Sequence, residues 1–143
     1  MNTQTLFGKM NIIYYITLVA AIIETVLAIP VLGGIIVMTS VYSPLGILMV
    51  LYIAGLVFAI TTQSLKGADQ YNIEISGFKT KFIIGIVAAA IAVIPVVGWI
   101  LHIVMAVIMW SQYLTISSLK EKVSKDNIIE DIKQEDIHSD DQN

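Results

Sequence analysis

The chain has no cysteine and no arginine, two histidines, three prolines and 13% charged residues over 143 positions. Without cysteine there is no disulfide, no thiolate metal site and no cysteine nucleophile, and the redox compartment stays undetermined. His102 and His138 alone assemble neither a His-rich metal signature nor a Ser-His-Asp set. A phosphate-cradling glycine loop and carboxylates at catalytic spacing are missing too. The expectation is a non-enzymatic protein with no catalytic, cofactor-binding or metal-binding residue. Charge is also too sparse for a soluble surface, at about half the usual ~25% of a globular domain. The lack of arginine beside abundant isoleucine points to a low-GC bacterium, and hence to a plasma membrane.

What is present is apolar: 57% of the residues are hydrophobic, with a mean hydropathy of +0.82. Two runs, Met10 to Leu65 and Phe82 to Leu119, exceed the ~20 residues that span a bilayer. A secretory signal after Lys9 fits poorly, because the run continues past Glu24 and Pro30 and no small-x-small cleavage site follows. Asn11 to Met38 would make about 42 Å of helix against a hydrocarbon core of ~30 Å. That helix either kinks at Pro30 or stops there, with Gly33-Gly34 opening a short second segment. Thr39 to Pro44 reads as an uncharged turn and Leu45 to Ser64 as a clean span, with Gly67 placed to cap it. Residues 65–81, with Lys66, Asp69, Glu74, Lys79 and Lys81, read as a polar loop lying on headgroups. Phe82 to Leu119 would make about 57 Å of helix. A hairpin at Pro95 to Gly98 divides it into two crossings, roughly 81–95 and 98–118; a re-entrant hairpin is the alternative.

The expected architecture is therefore all-α and polytopic: four transmembrane segments as two helical hairpins, 11–64 and 82–119. A short N-terminus, 1–10, precedes them, with Leu6 and Phe7 resting at the interface and the first helix starting near residue 10. All positive side chains lie at Lys9, in the 65–81 loop or after residue 119, which places both termini and the loop in the cytoplasm. The two outer turns share an Ile-Pro-x-x-Gly pattern, Ile29 to Gly33 and Ile94 to Gly98, which permits a parallel duplication of a hairpin rather than an inverted repeat. Pro30, Gly33, Gly34, Pro44, Pro95 and Gly98 are the expected breaks. Tyr14, Tyr15, Trp99, Trp110 and Tyr113 are the expected interfacial anchors. The tail, 120–143, holds four Lys against eight Asp/Glu. It is expected to continue the last helix for a few turns, then fray, with His138 to Asn143 disordered. This acidity argues against nucleic acid as a partner.

One carboxylate, Glu24, sits inside a span, where an ionisable side chain is costly and is by default a functional candidate. His102 falls at a similar depth in the outer half. If the two meet they form a charged pair or share a proton; if not, Glu24 is a protonated acid bonded to backbone or to Thr25 or Thr17, and His102 is packing. No third ligand for a metal is apparent. Gly55 with Ala59 and Gly85 with Ala89 permit close helix approach. Tyr52 reads as a packed ring, Gln63 as an interfacial amide, and Met105 and Met109 as bundle filling. Two functional expectations follow: an accessory protein that binds another membrane protein or itself within the lipid bilayer, or a small oligomeric channel or transporter using Glu24 and His102. Protection of the membrane against a toxin cannot be separated from the first on sequence grounds.

Overall fold

The computed structural model describes residues 3–40, 42–65 and 68–140. All regular structure among them is helical: α1 (Thr3–Leu27), α2 (Pro30–Thr39), α3 (Ser43–Gln63), a 3-10 turn at Asp69–Tyr71, α4 (Asn72–Ile91) and α5 (Pro95–Asp140). Three stretches, Gln4–Leu27, Ser43–Gln63 and Val96–Asp126, are long and apolar enough to cross a membrane. The fourth long helix, α4, carries Glu74, Lys79 and Lys81 in its first half, so length and composition single out three spanning candidates.

Proline decides where the apolar run breaks. Each of α2, α3 and α5 opens with proline in its first turn, where the missing N–H would have had no partner within the helix. Before Pro30, Ile29 is extended (φ −73°, ψ 118°), because the following ring disfavours helical backbone there. The two Ile-Pro-x-x-Gly turns fold alike. Ile29 N–H donates to Val26 O and Gly33 N–H to Ile29 O; Ile94 N–H donates to Ile91 O and Gly98 N–H to Ile94 O. At the same offset, a Cβ on Gly33 would collide with the carbonyl of Leu27, and one on Gly98 with that of Ala92. Gly34, next door, has open space around it.

Several boundaries differ from the sequence expectation. α1 begins at Thr3, not near residue 10, because Leu6 and Met10 are buried in the core; Leu6 does not rest at the surface. Most of the 65–81 segment is helix: Ile75, Phe78 and Phe82 form an i, i+3, i+7 stripe that α4 buries against the bundle. α5 keeps helical backbone through 138–140, since extending an anchored helix is cheap once it is nucleated. Gly67 and residues 141–143 lie outside the described residues.

α1, α3, α4 and α5 form a square bundle in which α1 lies beside α5 and α3, and α4 beside α3 and α5. The α3–α4 contact is a reciprocal interlock. Phe82 fills the hole left by Gly55, and Tyr52 fills the hole left by Gly85. The glycines flagged as close-approach sites are thus consumed within one chain. Outward-facing Ile and Val side chains such as Ile35, Val50, Val87 and Val107 are more than half exposed, while Thr17, Glu24, Thr62, His102 and Gln112 are buried. An apolar exterior around a core that also takes in these polar side chains suits lipid as solvent and would leave an intolerable apolar surface in water.

At the lysine-bearing end, Lys9 donates to Thr61 O at 3.2 Å and Lys79 to Gln63 Oε1, while Gln63 donates to Asn72 Oδ1 at 3.0 Å. Tyr71 donates to Asp126 Oδ2 at 2.5 Å and ties the α3–α4 connection to α5. Burial, then the neighbouring carboxylate of Asp126, pushes the Tyr71 hydroxyl well above its ordinary range, so it remains a donor. Leu119 and Val123 are buried at this end, whereas Ile128 and Ile129 are exposed.

Candidate functional site

The seam between α1 and α5 carries a ladder of polar contacts with an antiparallel register. From the lysine end outward these are Lys120 to Asn11 (2.5 Å), Tyr14 with Tyr113 (2.6 Å), Gln112 to Thr17 (3.1 Å), His102 with Glu24 (2.5 Å) and Trp99 to Ala28 O (2.7 Å). Side chains one or two turns apart on a helix share a face, so a single antiparallel pairing brings all five pairs together. Glu24, in the last turn of α1, and His102, two turns into α5, meet because the two proline breaks set both helix ends at one level.

Glu24 is 2% exposed and His102 5%. Glu24 Oε2 is hydrogen-bonded with His102 Nδ1, and Oε1 accepts from the Tyr52 hydroxyl. Both oxygens therefore have a hydrogen-bond partner, which is what a buried carboxyl group requires. Thr25 instead donates to Ala21 O at 2.7 Å, and Thr17 is engaged by Gln112, so neither threonine serves Glu24.

Tyr52, expected as a packed ring, is the third member of the site. A hydroxyl deep inside an apolar span needs a partner, and that requirement was the sequence signal for it; which partner was not visible, because Glu24 lies on another helix. Gly85 holds the ring in place. A Cβ there would stand 2.9 Å from ring atoms Cγ, Cδ1 and Cδ2 of Tyr52. These include the base of the ring, which cannot swing aside without moving the hydroxyl. Gly85→Ala is accordingly expected to cost about 1–3 kcal/mol and to break the Tyr52–Glu24 bond, read as a change in tyrosine near-ultraviolet absorption. Gly77→Ala on the same helix, with nothing near its Cβ, is the control.

His102 also lines a pocket of about 420 Å³ between the two proline turns, together with Leu27, Val37, Met38, Tyr42, Val96 and Trp99 among others. Glu24 does not reach the pocket wall; it stands directly behind His102. The expected breaks and anchors fall around this geometry. Pro30, Gly33, Gly34, Gly98 and Trp99 line the pocket, and Pro44 follows the turn at Tyr42, whose φ is +59°. At the other side of the seam, Tyr14 packs against Tyr15 and Tyr113, Tyr113 against Trp110, and Lys120 lies 4.3 Å from the Tyr14 ring centre. The Trp110 indole donates to Thr25 Oγ1 at 3.0 Å. Most of these aromatic residues therefore hold the α1–α5 seam as well as facing outward. Among the described residues no three His, Asp or Glu side chains converge as metal ligands. No protein-family model, curated protein or solved structure matches this chain.

Proposed function

We propose that this is a small proton-coupled membrane transporter, non-enzymatic, with four crossings arranged as two hairpins and both termini on the cytoplasmic side of a plasma membrane. The observation that carries the reading is the 2.5 Å contact of His102 with Glu24, with the imidazole also forming part of the pocket wall. An acid and a base in contact at that depth hold one exchangeable proton, and a pocket beside them gives a ligand the means to sense it. Arrangement as a square supports the fourth crossing, because α4 runs antiparallel to α3 along its length, with Tyr52 on Gly85 and Phe82 on Gly55.

The test is reconstitution in liposomes with a pH gradient. Wild-type protein is expected to give a pH-dependent flux, and Glu24→Gln, which keeps the shape but removes the charge, to reduce it to that of empty liposomes. Equal flux from both proteins would refute the transport reading. A second reading, an accessory protein of a membrane complex, draws support from α5, which continues through Asp140, well past Val123, the last residue buried among those whose side chains are described. Under it, a stoichiometric membrane partner accompanies the tagged protein through mild-detergent purification and no flux is seen.

A further inference from the structure

The pocket between the proline turns has a chemical bias that a proton site alone does not need. Its volume of about 420 Å³ is within the range of small-molecule sites, and its walls are aliphatic apart from Tyr42, Trp99 and His102. The Trp99 indole N–H is already donated to Ala28 O, so what this ring offers is its π face. Tyr42 is the second aromatic residue in the lining. Behind His102 stands Glu24, the single acidic side chain buried among the described residues, where no lysine is buried. When the Glu24–His102 pair holds its extra proton it is neutral; when it does not, it carries one negative charge. A cation in this pocket would meet aromatic rings and, one side chain away, a carboxylate.

We propose that the pocket binds a bulky apolar organic cation, which replaces the proton of the Glu24–His102 pair. The inference rests on the proton-coupled reading above and names its substrate class. The exchange is charge-neutral: the cation enters the pocket, the proton leaves His102 to solvent, and the buried site never holds an unbalanced charge. The titratable groups around the pair are Tyr52 from α3, bonded to Glu24, and Tyr42, which lines the pocket; the lining residues of α2 and of the turn after α4, such as Gly33, Val37, Ala92 and Val93, carry none.

The experiment uses the full chain carrying Trp110→Phe, which leaves Trp99 as the sole tryptophan, since the sequence has two. Tetraphenylphosphonium is titrated while Trp99 emission and the pH of a lightly buffered solution are followed, with the isosteric anion tetraphenylborate as control. Saturable quenching by the cation is expected, with release of about one proton per cation bound and affinity falling by up to about tenfold per pH unit on acidification. The anion is expected to give no saturable quenching, and Glu24→Gln to lose both cation binding and proton release. Equal binding of both ions, or unchanged cation binding in Glu24→Gln, overturns the proposal. If the cation fails to bind while Trp99 emission still titrates with pH in the Trp110→Phe protein and not after Glu24→Gln, the cation is wrong and the proton site survives. If the cation binds but neither pH nor Glu24→Gln alters it, the proposal and the proton-coupled reading both fall.

Discussion

His102→Ala is expected to destabilise the bundle by roughly 3–5 kcal/mol, the usual cost of stripping one partner from a buried ion pair. The loss is large because Glu24 is 2% exposed and would keep only the Tyr52 hydroxyl as donor, with a void where the imidazole stood. Glu24→Gln should cost far less, about 1 kcal/mol. Its amide oxygen still accepts from Tyr52, and its NH2 group can donate to His102 once the imidazole proton moves to the other ring nitrogen. Unfolding in mixed detergent micelles, followed by helical circular dichroism, separates the two. Equal and small losses would mean that the pair is neutral packing, with no charge to strand. The contrast also protects the functional tests, since the variant that removes the charge is the one expected to stay folded.

Gly33→Ala and Gly98→Ala are expected to be nearly as damaging, each costing ~3 kcal/mol or more, at or above the top of the usual range for overpacking. The obstacle at both positions is a backbone carbonyl, Leu27 O in one turn and Ala92 O in the other. A carbonyl cannot rotate away as a side chain can, so the helix break itself would have to open. Gly34→Ala, one residue from the first, has nothing within 4 Å of the new methyl and should be neutral or slightly stabilising, because alanine restricts the unfolded chain. Thermal or detergent unfolding of the three variants checks this, and a destabilised Gly34→Ala with intact Gly33→Ala would invert the account. Opening either turn should also reshape the pocket, since Gly33, Gly98 and Trp99 all line it.

The order of helices and breaks was legible because it depends on local chemistry. Pro30, Pro44 and Pro95 lack an N–H and open helices wherever they stand, and the long runs of Ile, Val, Leu and Ala leave little but helix in lipid. Glu24 was legible as a cost: one carboxylate in an apolar run needs a partner. Less legible were the boundaries set by long-range burial. The first residues of α1 and the first half of α4 look polar locally, but Leu6, Ile75 and Phe78 find core partners far away in the chain, and those contacts extend both helices beyond the expected ends.

The sequence by itself determined that the chain is helical, that its apolar runs suit a membrane, and that Glu24 and His102 are the ionisable groups to explain. Tertiary structure alone decided that they touch, that Tyr52 completes the site, and that a pocket opens beside His102. The reason is that a side chain's partner across the bundle depends on the rotation and axial register of two helices. That register is set by the sum of many weak contacts, such as the Gly55–Phe82 and Gly85–Tyr52 interlock and the α1–α5 ladder. No single residue encodes it.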